Sequence, residues 1–209
     1  MDNIIYTLAV NAIPFLFAIT LHEAAHGYAA RVFGDRTAEM MGRISLNPIR
    51  HIDWIGTVAL PAVFIAIQSP FLFGWAKPVP VNMRNLRHPK RDMIWVAAAG
   101  PMANLAMGIL WALLLRFAGE SRSIVAIANS GVEWNLMLML FNLLPILPLD
   151  GGRILTGLLP GPLAYKFSRL EPFGFFIVVA LMAVPGLLNT IMGPPRALAY
   201  DFFRAIAGV

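Results

Sequence analysis

Apolar residues in this chain fall into five long blocks, Ile4 to Phe33, Ile55 to Phe73, Met93 to Phe117, Ile124 to Leu149 and Phe173 to Met192, with most of the charge between them. About 18 or more such residues in a helix cross a hydrocarbon core roughly 30 Å thick. Inside that core, backbone N–H and C=O groups must be satisfied within the segment or by protein packed against it. The pattern predicts an all-α polytopic membrane protein with four to five transmembrane helices, built as a single domain over residues 1–209. Composition agrees, since 58% of residues are hydrophobic and only 13% charged, too little polar surface for a water-soluble fold.

The blocks are not equivalent. The second holds Pro61 in its middle and Ser69-Pro70 near its end, which makes it a poor uninterrupted helix and predicts a re-entrant or surface-lying segment. Before it, Gly42-Arg43-Ile44-Ser45-Leu46-Asn47-Pro48 reads as a short β-strand closed by a turn, so a β-strand or re-entrant region is expected between the first and third blocks. The fourth block runs into Pro145, Pro148, Gly151 and Gly152, where the helix must break. The last sixteen residues or so, with Arg196, Asp201 and Arg204 among Leu198, Phe202, Phe203 and Ile206, suggest a short interfacial helix, a frayed tail being the alternative. The first block has Asp2 as its only flanking charge and lacks the basic leader of a cleaved signal peptide, so it is expected to stay in the mature protein.

Basic residues outnumber acidic ones, 16 to 11, but they lie between the apolar blocks, which suits membrane topology and argues against nucleic acid as a partner. Cysteine is absent, so any metal must be held by His and carboxylates.

Within the first block stands His22-Glu23-Ala24-Ala25-His26. A spacing of four on a helix puts both imidazoles on one face, one turn apart, where two nitrogens chelate one zinc ion. Glu23 lies about 100° round the helix from His22, placed to act as a general base without being a ligand. In a soluble helix this pentapeptide arises by chance, but a central acid in a spanning helix costs about 2.5–3.5 kcal/mol, so a functional reading outweighs a structural polar cluster or a proton relay.

A catalytic zinc normally takes three protein ligands and keeps one open position. The candidates for the third are His51, Asp53, His88, Asp92, Asp150 and Glu171; all but Asp150 sit in charged loops that favour a solvated side chain. Asp150 follows an apolar span and a proline-broken segment, and two glycines after it allow close backbone approach, so it is the favoured third ligand, with helix-end capping or pairing to Arg153 as the alternative. Zinc is then expected at one ion per chain, on His22, His26 and Asp150.

For His22 and Asp150 to meet, the first and fourth blocks must run in the same direction, so one of the two blocks between them does not cross. Under that topology Arg31, Arg36, Arg43, Arg50, Lys77, Arg84, Arg87, Lys90, Arg91, Arg153, Lys166 and Arg169 share one side, and Arg116, Arg122, Arg196 and Arg204 the other. The positive-inside rule then predicts a multi-pass protein of the cell membrane with the active site toward the cytoplasm. Asn104 and Asn142 lie in apolar surroundings; they either hydrogen-bond between helices or bind the substrate backbone or a developing oxyanion. The small-residue run of Ala97, Ala98, Ala99, Gly100 and Ala103 reads as helix packing.

Three motifs together resemble the site-2 protease family of intramembrane metallopeptidases in its compact prokaryotic form: His22-Glu23-x-x-His26, Gly100-Pro101-x-x-Asn104, and Asn142-x-x-Pro145-x-x-Pro148-x-Asp150-Gly151. The segments Gly42 to Pro48 and Phe73-Gly74-Trp75-Ala76-Lys77-Pro78-Val79-Pro80-Val81-Asn82 are similar to parts of the same subgroup, and no PDZ or CBS domain is expected within residues 1–209. The resemblance implies His22, His26 and Asp150 as zinc ligands, Glu23 as the base, Asn104 and Asn142 as substrate-facing groups, and transmembrane proteins in the lipid bilayer as substrates. The strand near Ile44 would receive an unwound substrate by edge pairing. A transporter or proton relay using the same buried groups is the rival reading, and a silent relative that only binds membrane clients is a third. Oligomeric state is not readable from the chain.

Overall fold

In the computed structural model, which describes residues 2–67 and 74–208, the expected helix in the first block is α1, Asp2–Val32, followed by one short turn, α2, Thr37–Met40. A wide π-type turn over Trp54–Ala59 leads into α3, Leu60–Ala66. The third block becomes α4, Pro89–Arg116, with Pro89 in the first turn where its missing N–H costs nothing. The fourth becomes α5, Arg122–Asn142. After the proline-rich turn come α6, Asp150–Leu158, and α7, Gly161–Ser168, then α8, Glu171–Ala183, and α9, Leu187–Ala207.

Helices α1, α4 and α5 pack on one another, with α6 laid against α4 and α9 against both α4 and α5. Two apolar clusters bracket the region between them. One joins Ala30, Leu86, Met93 and Val96; the other joins Ala112, Val132, Leu136, Met139, Phe203 and Ala207.

Several expectations are corrected here. Among the described residues two helices, α4 and α5, are long and apolar enough to cross a membrane, or three if α8 and α9, which meet at 86°, form one span, against the four to five expected. The fifth block is broken at Val184-Pro185-Gly186, with Gly186 in the left-handed region at φ 79°. No β-strand forms among the described residues. The stretch from Gly42 to Pro48 has no backbone ladder because side chains take its partners: Arg43 donates to Lys77 O and Pro78 O, and His51 Nε2 meets Ser45 O. The last part of the second block, with Ser69, Pro70 and Phe73, lies outside the described residues.

The C-terminal residues, expected as a short interfacial helix or a frayed tail, instead continue α9 from Leu187, and Phe203 is buried against α4 and α5. Arg196, placed above in that interfacial helix, lies within α9 and forms an ion pair with Glu133 of α5.

Asp35, just past α1, fastens the connection to α4. Its carboxylate accepts from Thr37 N and Oγ1, from Asn82 N at 2.7 Å and from Asn85 Nδ2 at 3.1 Å. Burial alone would raise its pKa, but these donors outweigh burial and hold it below the ordinary carboxylate value. A lowered native pKa gives stability that is complete above the unfolded value near 3.9 and lost as pH falls through the native one. Asp35→Ala is therefore expected to cost about 1–3 kcal/mol at neutral pH, by stranding buried donors. The gap in thermal unfolding between the two proteins should narrow as pH falls from about 4 through the native pKa, and a constant gap at all pH values would contradict this account.

Candidate metal centre

His22 and His26 project from α1 into the junction of α1, α4 and α6, where both are buried. Their Nε2 atoms are 3.0 Å apart. Asp150, at the first turn of α6, reaches them with Oδ2 at 3.2 Å from His22 Nε2 and 3.3 Å from His26 Nε2. A position at a helix N-terminus favours a carboxylate. The turn that delivers it folds back on itself: a Cβ at Gly151 would lie 2.2 Å from Leu143 O, so only glycine lets residues 143–149 close over the start of α6.

The hydrogen bonds decide what this cluster wants. His26 Nδ1 is 2.8 Å from Val96 O, which as a carbonyl only accepts, so Nδ1 carries the hydrogen and Nε2 the lone pair. His22 Nδ1 is 2.6 Å from Asn104 Oδ1 and is protonated for the same reason. With both imidazoles neutral, two lone pairs and a carboxylate oxygen converge, and Asp150 Oδ2 is buried with only the two Nε2 atoms beside it. In that state the three acceptors suit a cation held between them. A tetrahedral zinc with bonds of about 2.0–2.1 Å sets its ligands about 3.3 Å apart, which matches the separations of 3.0, 3.2 and 3.3 Å. The residues fit the ion. Among the described residues this is the one group of His and acidic side chains with such convergence.

Gly100 of α4 forms one wall. A Cβ there would lie 2.4 Å from His26 Nε2 and 2.6 Å from His22 Cε1, so this glycine has a purpose beyond the helix packing expected of its small-residue run. Glu23 is half-buried, and its Oε2 accepts from Val79 N at 2.8 Å. That amide sits in an extended segment between Pro78 and Pro80, held by Arg43 through Lys77 O at 2.8 Å and Pro78 O at 3.3 Å.

Asn104 is fully buried beside His22, and both its Nδ2 hydrogens are used, on Ala18 O at 3.2 Å and Asn135 Oδ1 at 3.0 Å. Asn142, half-buried at the end of α5, donates to Leu138 O of its own helix at 3.0 Å and stands apart from the relay around Asn104. Of the others weighed as ligands, Asp53 caps the turn at Ile55 and Gly56, Asp92 accepts from His88 N and lies 3.9 Å from His88 Nδ1, His51 meets Ser45 O, and Glu171 lies in the first turn of α8, outside the cluster. Asn135 and Val79 were not singled out from the sequence. Asn135 carried the same signal as Asn104, an amide in an apolar block, whereas a backbone donor such as Val79 leaves no side-chain mark beyond its flanking prolines.

The chain is 36% identical over 199 residues to YwhC of Bacillus subtilis, provisionally named a zinc metalloprotease, covering 88% of this chain and 87% of that protein. Rip2 of Mycolicibacterium smegmatis, likewise provisionally named, is 30% identical over 177 residues, 83% of this chain and 66% of that protein. Zinc metalloprotease MJ0392 of Methanocaldococcus jannaschii is 26% identical over 190 residues, 90% of this chain but 46% of that protein. No family model and no solved structure matches.

Proposed function

From the premise that the chain belongs to the site-2 protease family of zinc metalloproteases, we propose that it is an intramembrane endopeptidase hydrolysing peptide bonds in or beside transmembrane segments of membrane proteins. The observation that carries this reading is the convergence of His22, His26 and Asp150 inside a bundle whose α4 and α5 have the length and apolarity of membrane spans.

When bound, zinc would supply Lewis acidity, activating water near neutral pH and polarising the scissile carbonyl. His22, His26 and Asp150 hold it, with Asn104 and Val96 O fixing the two imidazoles. Glu23 serves as general base and then returns the proton to the leaving amine. Val79 N–H takes one carboxylate oxygen of Glu23, so proton transfer falls to the other. Asn142, at the end of the helix that leads to Asp150, is assigned to the substrate backbone. The substrate unwinds locally, because a helix keeps its carbonyls engaged. The excess of Lys and Arg on the side where α1 ends supports a cell-membrane protein with its site toward the cytoplasm.

The test uses the full chain in proteoliposomes with a test transmembrane substrate and, separately, an unstructured soluble peptide. Zinc-dependent cleavage mapped to the transmembrane segment or its flank is the expected result. Chelator-insensitive cleavage, or vesicle uptake of a solute with no proteolysis, overturns it.

A further inference from the structure

A chain of amides runs from α5 to the metal centre. Asn135 Nδ2 donates to Gly131 O at 2.8 Å, Asn135 Oδ1 accepts from Asn104 Nδ2 at 3.0 Å, Asn104 Nδ2 also donates to Ala18 O at 3.2 Å, and Asn104 Oδ1 meets His22 Nδ1 at 2.6 Å. Asn104 and Asn135 are both fully buried. The direction of every bond is set from its two ends. Gly131 O and Ala18 O are carbonyls and only accept, so the atom facing each is an amide nitrogen. Asn135 must then turn its oxygen to Asn104, and Asn104 its oxygen to His22. A flip of either amide would set oxygen against oxygen where both side chains are fully buried.

We propose that Asn135 is a positioning residue for the metal centre: it holds Asn104 in the one orientation that keeps the hydrogen of His22 on Nδ1 and its lone pair on the metal side. Asn104 belongs to the same device. It has no hydrogen left for a substrate oxyanion, and its task is to aim His22. Outer partners of this kind set ligand orientation, and their loss typically weakens metal binding about 10–100-fold. The proposal rests on the zinc site described above but not on proteolysis.

The experiment measures zinc affinity by chelator competition, and the visible spectrum of the cobalt-substituted protein, on the full chain in detergent. Asn135→Leu removes the acceptor facing Asn104 and is expected to weaken zinc about tenfold and alter the cobalt bands. Asn135→Asp is expected to restore both, because a neutral carboxyl buried there donates its O–H to Gly131 O and accepts from Asn104. Ser130→Ala controls for loosening between helices. It deletes another bond from α5 to α1, that of Ser130 Oγ to Asn11 Oδ1 at 2.9 Å, and is expected to leave zinc affinity unchanged. Wild-type affinity and cobalt spectrum in Asn135→Leu overturn the proposal, as does an equal loss in Ser130→Ala or a folded Asn135→Asp that fails to hold zinc. If Asn135→Leu does not fold, the Asn135→Asp result decides. A wild-type chain that binds no zinc would instead remove the metal centre itself.

Discussion

Glu23→Gln is expected to retain its zinc and to cut a transmembrane substrate about 10²–10⁴-fold more slowly than wild type, the usual contribution of a positioned acid–base group. Glutamine keeps the size of glutamate, and its carbonyl oxygen still accepts from Val79 N, which in the wild type lies 2.8 Å from Glu23 Oε2. The ligands His22, His26 and Asp150 are untouched, and so are the bonds that aim the two imidazoles. Only the capacity to take up a proton is gone. Elemental analysis beside single-turnover cleavage separates the possibilities. Cleavage at the wild-type rate would remove Glu23 from the chemistry, and loss of zinc would make it a part of the centre's framework.

The second large effect comes from adding one carbon. In Gly100→Ala the new Cβ would lie 2.4 Å from His26 Nε2 and 2.6 Å from Cε1 of either imidazole, well inside contact distance. Relief requires α4 to withdraw or the rings to turn. Withdrawal pulls Val96 O from His26 and Asn104 from His22, which are bonds of 2.8 and 2.6 Å; turning the rings takes Nε2 away from Asp150. Either way the three-ligand geometry is lost. Zinc affinity should therefore drop by more than the roughly 100-fold upper range of outer-partner changes, and cleavage with it. Gly193→Ala is the control, since its Cβ meets nothing within 4 Å and it also lies inside a helix. Wild-type zinc affinity in Gly100→Ala would show that α4 does not form the wall described.

The convergence of these groups was legible to different degrees for physical reasons. Helical periodicity brings His22 and His26 to one face whatever surrounds them, and Asp150 stood out as an acid between a broken apolar span and two glycines. The turn over 143–149 then carried it to the imidazoles. The strand expected near Ile44 failed because alternation along one segment says nothing about whether a partner edge exists, and here Arg43 and His51 consumed the backbone acceptors. Val184-Pro185-Gly186 interrupts the fifth block as plainly as Pro61 does the second, yet the block was read through as one span. Gly100 looked like packing because nothing in sequence reveals which neighbour a missing side chain makes room for. Asn135 was passed over for lack of a motif, although its setting matched that of Asn104.

Both imidazoles and Glu23 lie on α1, while Asp150 arrives on α6, after two further long helices have been made. During synthesis, then, the growing polypeptide carries an incomplete set of ligands through most of its elongation. The three-residue cluster is therefore completed last, because Asp150 cannot reach the two imidazoles until α6 has packed against α4.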